Sequence, residues 1–169
     1  TNDRTVIGNA MPKWFGGITN TFDYKGIDFS FMLQFNYGND IYNATRLYST
    51  QSRNGRRNML AEVADRWSPT NTSNLVPSHD VYSRFIEDGS FLRLKNVTLG
   101  YTLPHKWTRK FHVSRLRLYA TGQNLFCVSG YSGYDPEVNS ASNTPMTPGL
   151  DWGAYPKSRV FTFGIDLQF

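Results

Sequence analysis

Ser158-Arg-Val-Phe-Thr-Phe-Gly-Ile-Asp-Leu-Gln-Phe169 places a large apolar side chain at every second position. Phe161, Phe163, Ile165, Leu167 and Phe169 share one parity; Val160, Thr162, Gly164, Asp166 and Gln168 share the other. Side chains on a strand alternate between faces, so the spacing predicts a strand near 158–169 with one apolar face and one mostly small or polar face. The same test marks four more strands toward the N-terminus. One lies near 14–24, with Trp14, Gly16, Ile18, Phe22 and Tyr24 on one parity. Another lies near 27–37, where Ile27, Phe29, Phe31, Leu33, Phe35 and Tyr37 alternate with Asp28, Ser30, Met32, Gln34 and Asn36. A strand near 91–103 carries Val97, Leu99, Tyr101 and Leu103 on one face and stops at Pro104, which cannot donate to a ladder. A strand near 114–124 sets Leu116, Leu118 and Ala120 against Arg115, Arg117, Tyr119 and Thr121.

The connections alternate in length. Lys25-Gly26 predicts a tight hairpin turn, Gly taking positive φ at no steric cost. Segments 38–90 and 125–157 are long, and the turn from Pro104 to Val113 is short. Transmembrane barrels show this asymmetry, with short periplasmic turns and long extracellular loops. A periplasmic C-terminus places both short turns on the periplasmic side and both long segments outside. The expected fold class is therefore all-β, five antiparallel strands whose alternately short and long connections suit a transmembrane barrel. Within the first long segment, Leu60, Val63 and Trp67 predict a short packing helix over Asn58–Trp67, ended by Ser68-Pro69; Pro69 to Ser78 reads as irregular. By parity, Phe29, Phe31, Leu33, Phe35, Leu99, Phe163, Ile165 and Leu167 are expected to face lipid. Trp107 and Phe111, beside the short turn, suit an interfacial aromatic girdle.

Composition is compatible with this. No apolar run approaches the roughly 20 residues of a membrane-spanning helix, whereas barrel strands need only about 9–11. Mean hydropathy is −0.48. Aromatic residues make up 15% of the 169, an enrichment that suits β structure, sugar binding or interfacial girdles. The net charge of +5 is densest at Arg53, Arg56 and Arg57, in a stretch that reads as a solvated loop without a recognition motif, so no nucleic-acid partner is expected. Cys127 is the single cysteine and forms no internal disulfide. No signal peptide opens the chain at Thr1, so an exported protein would carry this segment as a mature or truncated piece.

The residues offer no catalytic constellation, and neither enzyme activity, metal nor cofactor is expected. His79, His105 and His112 are too scattered for a metal site. No nucleophile elbow or phosphate loop occurs. Asp135-Pro-Glu137 holds two carboxylates too close on one loop to flank a glycosidic bond, and fixing the loop through backbone N–H groups is the role it suits. Tyr131, Tyr134, Trp152 and Tyr155 cluster in the second long segment, able either to stack on a ligand or to pack the loop; with Asp135 they are the ligand or lid-loop candidates. Substrate-specific residues are expected near 45–57 or 138–148.

Several motifs together resemble the C-terminal end of the SusC/RagA family of TonB-linked outer-membrane transporters of Bacteroidetes. They are Gly38-Asn39-Asp40-Ile41-Tyr42-Asn43, Asp65-Arg66-Trp67-Ser68-Pro69, the run Arg84 to Tyr101, Gly122-Gln123-Asn124-Leu125-Phe126, Gly130 to Glu137, and Asp151-Trp152-Gly153-Ala154-Tyr155-Pro156. The resemblance covers nearly the whole chain. It implies about five C-terminal strands of a large antiparallel transmembrane barrel, a fragment of a much longer transporter whose barrel of about 22 strands holds a plug absent from this segment. It further implies partners: the remaining barrel and plug, a SusD-like surface lipoprotein, TonB through the missing N-terminal part, and outer-membrane lipid. The implied function is import of large nutrients, glycans or peptides, at the bacterial outer membrane. Phe169 would be the C-terminal barrel-assembly signal. Two other readings stay open at this point: a soluble carbohydrate-binding β-sandwich, and a barrel component of a secretion or adhesion assembly.

Overall fold

In a computed structural model the chain is described over residues 5–50, 58–65, 67–72, 83–140 and 148–169. Arg53, Arg56, Arg57, Arg66 and His79 lie outside these residues, as do parts of 45–57, 69–78 and 138–148. Eight strands are present among them: β1 (Trp14–Tyr24), β2 (Ile27–Tyr37), β3 (Asp40–Asn43), β4 (Ile86–Asp88), β5 (Phe91–Thr102), β6 (Arg115–Ser129), β7 (Leu150–Asp151) and β8 (Val160–Gln168). Two short helices accompany them, α1 (Ala44–Thr50) and α2 (His105–Thr108). No described helix is long and apolar enough to cross a membrane, which leaves strands as the only described elements that could. The chain divides into two compact units.

One unit is a five-stranded antiparallel sheet in the order β1-β2-β5-β6-β8. Neighbours in space follow one another in sequence, so the sheet is an up-and-down meander with no crossover. Register runs without a break from Trp14↔Tyr37 to Tyr24↔Ile27. Lys25 and Gly26 both take positive φ, 49° and 85°, the two-residue turn whose twist matches that of the flanking strands. Thr102 N–H donates to the Gly26 carbonyl at 2.7 Å, and a Cβ on Gly26 would stand 2.7 Å from the Thr102 carbonyl oxygen.

Directly paired residues share a face, so the register assigns faces across all five strands. Phe22, Phe29, Leu99, Ala120 and Phe163 form one row; Tyr24, Ile27, Tyr101, Leu118 and Ile165 form the next. Phe22, Phe29 and Phe31 have ring centroids 5.8–6.4 Å apart. This apolar face is open: Phe163 is 80% exposed, Ile165 64% and Leu167 54%. A β-sandwich would cover such a face with a second sheet, and within this unit there is none.

The ladder is irregular at two places. Between Met32↔Asn96 and Leu33↔Leu94, Lys95 is an extra residue, a bulge that moves Leu92 and Leu94 onto the face of Val97 and Leu99. Opposite it, the β5–β6 register slips between Leu94↔Phe126 and Asn96↔Gln123, where Asn124 takes φ 52°. The strand does not end there, as its alternation suggests, but resumes and pairs through Ser129 with Phe91. Residues 125–129 are therefore strand rather than loop.

The opposite face is polar. Thr98 and Thr121 hydroxyls meet at 3.1 Å. Arg117 reaches across β5 to Asp28 with two parallel bonds, Nε to Oδ1 at 2.8 Å and Nη2 to Oδ2 at 2.6 Å, while its Nη1 donates to Asp166 at 3.1 Å. Gly100 lies beneath that arm, and the Tyr119 ring fills the place where a Cβ on Gly164 would stand. Gly100 and Gly164 thus make room for the large polar residues of the neighbouring strands.

The other unit packs a small core of Ile41, Ala44, Leu47, Val63, Phe85 and Tyr131. Its sheet, β4-β3-β7, pairs Tyr42 with Ile86 antiparallel and with Leu150 parallel. The helix expected over Asn58–Trp67 is only a 3₁₀ turn, Ala61–Asp65. Val63 alone of its expected apolar stripe is buried, while Leu60 and Trp67 are exposed. A single turn has no second turn to present a stripe, and Pro69 forbids extension.

Candidate functional site

The second unit carries the candidate site, organised by α1. Asn43 caps the helix, its Oδ1 accepting the Arg46 N–H at 2.8 Å. That cap aims Arg46 at two carboxylates. Arg46 forks onto Glu62, Nε to Oε1 at 3.1 Å and Nη2 to Oε2 at 2.8 Å, and its Nη1 meets Glu87 Oε1 at 3.3 Å. Arg84 adds a contact to Glu62 at 3.3 Å. Glu87 also accepts from the Asn43 amide, the Ser132 N–H and the Ser132 hydroxyl, at 2.8–3.1 Å. One carboxylate thereby ties β4, α1 and the Ser132 turn together.

A cavity of about 540 Å³ opens beside this network, lined by Asn43, Thr45, Arg46, Ser49, Leu60, Ala61, Glu62, Ser132, Gly133, Tyr134 and Asp151. Among the described residues its wall combines hydroxyls, an amide and a compensated ion cluster with Leu60, Ala61 and the Tyr134 ring, and most of the surface it exposes is apolar.

The candidates named from the sequence separate into two groups. Tyr131 and Asp135 are buried and belong to the frame. Tyr131 donates its hydroxyl to Asp151 Oδ2 at 2.5 Å, and Asp135 Oδ1 accepts the Glu137 N–H at 2.9 Å. Burial, then the Asp151 carboxylate, pushes the Tyr131 hydroxyl well above the ordinary tyrosine range. Tyr134, Trp152 and Tyr155 are exposed, Tyr155 at 89%. Tyr134 lines the cavity, and Trp152 lies against Tyr48 with centroids 4.9 Å apart. Sequence reading reached Arg46 and Tyr48 only as members of the stretch 45–57 and did not single out Glu62. Only Asn43, a capping residue ahead of a helical stretch, carried a local signal.

The ion cluster makes this unit acid-sensitive. Hydrogen bonding to Arg46, against the cost of burial, holds the Glu62 carboxyl below the ordinary glutamate range. Burial pushes Glu87 up, but bonds from Ser132, Asn43 and Arg46 outweigh it and leave it below that range too. A carboxylate with a lowered folded pKa contributes stability above its unfolded value, about 4.3, and loses it as pH falls through the folded value. Protection against amide exchange in segments 40–50 and 83–90 of the full-length receptor, corrected for the slower intrinsic exchange in acid, should therefore fall below about pH 4, beyond the change seen in β1. Equal loss of protection in both places would refute the assignment.

Among the described residues no group of three His, Cys, Asp or Glu side chains could hold a metal ion. The Thr45 hydroxyl, 3.2 Å from Asp151, accepts the Gly153 N–H at 2.7 Å, which makes it a loop fastener.

No family model matches the chain. It is 38% identical over 180 residues to TonB-dependent receptor P3 of Formosa agariphila, covering 100% of this chain and 18% of that protein. It is 35% identical over 178 residues to TonB-dependent receptor SusC of Bacteroides thetaiotaomicron, covering 100% of this chain and 16% of SusC. Among solved structures it superposes on the RagAB peptide transporter with a TM-score of 0.82 at 25% identity, covering 97% of this chain and 18% of that one. On the open-open state of the RagAB peptide importer the TM-score is 0.77 at 27% identity, covering 95% and 17%. The chain thus spans under a fifth of the length of these relatives. By sequence and by fold it belongs to the SusC/RagA-type TonB-dependent receptors, as a C-terminal segment of their outer-membrane β-barrel.

Proposed function

We propose that this segment supplies wall and outer loops to a TonB-dependent importer of glycans or peptides that works with a SusD-like lipoprotein. The observation that carries the reading is the two-faced sheet. Leaving Phe163, Ile165 and Leu167 in water forfeits about 1.5–3 kcal/mol for each side chain that could be buried. Placing the Asp28–Arg117–Asp166 cluster in hydrocarbon would be costlier still. One face in lipid and one toward a polar lumen satisfies both. Phe29, Phe31, Leu33, Phe35, Leu99, Phe163, Ile165 and Leu167 then form the lipid face. The Lys25-Gly26 turn, the 103–114 turn and Phe169 lie at the periplasmic end, and the long segments 38–90 and 130–157 are extracellular loops, where Tyr134, Trp152 and Tyr155 meet ligand or lipoprotein.

In this reading the lipoprotein captures ligand and closes over the barrel, and TonB pulls on the plug to admit it. Cells carrying the full-length receptor should take up probes from a labelled oligosaccharide library or a labelled peptide pool. Uptake should vanish without TonB or without the co-purifying surface lipoprotein. A receptor that co-purifies with secretion or adhesion components and moves neither probe would overturn the proposal.

A further inference from the structure

We propose that the β5–β6 turn is a docking surface for anionic phospholipid headgroups, fixing this end of the sheet in the bilayer. The inference rests on the membrane reading above. A two-residue turn suffices between β1 and β2, yet β5 and β6 are joined by Leu103-Pro-His-Lys-Trp-Thr-Arg-Lys-Phe-His-Val-Ser114. That stretch carries Lys106, Arg109 and Lys110 and no carboxylate. It is a built object rather than a slack loop. The α2 turn passes directly into a 3₁₀ turn, Arg109–Phe111, which ends at His112 with φ 57°. Thr108 is buried at its centre, its hydroxyl donating to the His105 carbonyl at 3.3 Å and its own carbonyl accepting the Val113 N–H at 3.3 Å.

What this frame displays is cationic and aromatic together. Trp107 and Phe111 are exposed, as are all three basic side chains. Among the described residues Lys106, Arg109 and Lys110 form no ion pair. The nearby carboxylates Asp28 and Asp166 are on the polar face and engaged by Arg117. The turn is continuous with the end of the apolar face, since Leu103 N–H donates to the Leu116 carbonyl and Ser114 N–H to that of Gln168. Rings at headgroup depth with cations extended to phosphate is the arrangement favoured at a bilayer surface. Each basic residue close to an anionic surface enriches it by about fivefold before screening.

The test uses the full-length receptor in nanodiscs, with brominated phosphatidylglycerol or brominated phosphatidylcholine at equal mole fraction. Trp107 emission is isolated as the difference between wild type and Trp107→Phe. Brominated phosphatidylglycerol should quench it several-fold more strongly, and Lys106→Gln/Arg109→Gln/Lys110→Gln should bring the two lipids to equality while uptake shows the variant is folded. Equal quenching in the wild type, or a preference untouched by the triple substitution, overturns headgroup recognition and leaves the membrane reading standing. Quenching by neither lipid removes this end from the bilayer and sinks both.

Discussion

Phe31→Arg should strip the full-length receptor from the outer membrane, while Ser30→Arg, one residue away, should leave it assembled. The two positions differ only in face. Phe31 sits in the row Asn20, Phe31, Val97, Gly122 and Phe161; Ser30 sits in the row Thr21, Ser30, Thr98, Thr121 and Thr162. Both positions are adjacent near the middle of β2, so depth is matched. On a lipid face near the midplane an arginine costs about 2–4 kcal/mol, whereas on a lumen face it finds water and polar partners. Phe31→Arg also breaks the three-ring contact with Phe22 and Phe29. The measurement is receptor abundance in purified outer membranes, with heat-modifiable mobility as the sign of a closed barrel. Equal abundance of both variants, or loss of Ser30→Arg alone, would reverse the face assignment and with it the proposed wall.

The sheet was legible because a strand with one apolar face writes its period into the sequence. Phe29 to Phe35 and Phe161 to Leu167 do so without interruption, and Lys25-Gly26 names its own turn. The irregularities were legible only in principle. Leu92 and Leu94 fall on even numbers, Val97 and Leu99 on odd, and that change of parity is the mark of the Lys95 bulge. Asn124 was harder, because parity is the same on both sides of it and only the backbone angle departs. An end of strand and a bulge look alike to an alternation test.

The second unit was not legible as structure. Its strands run two to four residues, too short to alternate, and they pair across great sequence distance, Tyr42 with both Ile86 and Leu150. The Arg46–Glu62–Glu87 cluster joins positions whose proximity no local pattern encodes. The aromatic candidates were visible as residues but not by role. Tyr131 and Tyr134 stand three apart in one motif, yet one is frame and the other surface. That distinction is made by Asp151, whose buried carboxylate captures the first hydroxyl and not the second.

Asp151 should accordingly be the most sensitive position of the second unit. It is 2% exposed and accepts from the Tyr131 hydroxyl, the Thr45 hydroxyl and the Ala154 N–H, at 2.5, 3.2 and 3.2 Å. In Asp151→Ala the buried Tyr131 hydroxyl loses its acceptor, and an unmet buried donor costs about 1–3 kcal/mol. Adding the bonds from Thr45 and Ala154, destabilisation of about 3 kcal/mol is expected. Tyr131→Phe should cost less, because the carboxylate keeps its two other donors. The double variant should be milder than the sum of the singles, since no hydroxyl is then left orphaned. Because the folded Tyr131 hydroxyl has its pKa raised, this contact is fully present below the ordinary tyrosine value and fades only as pH rises through the folded one. Amide exchange in segments 40–50 and 130–140 of the full-length receptor reports the loss, with β1 and β2 as internal reference. Strict additivity of the two substitutions would mean that Tyr131 and Asp151 stabilise the loop independently, and the bond between them would not be what holds Tyr131 in the frame.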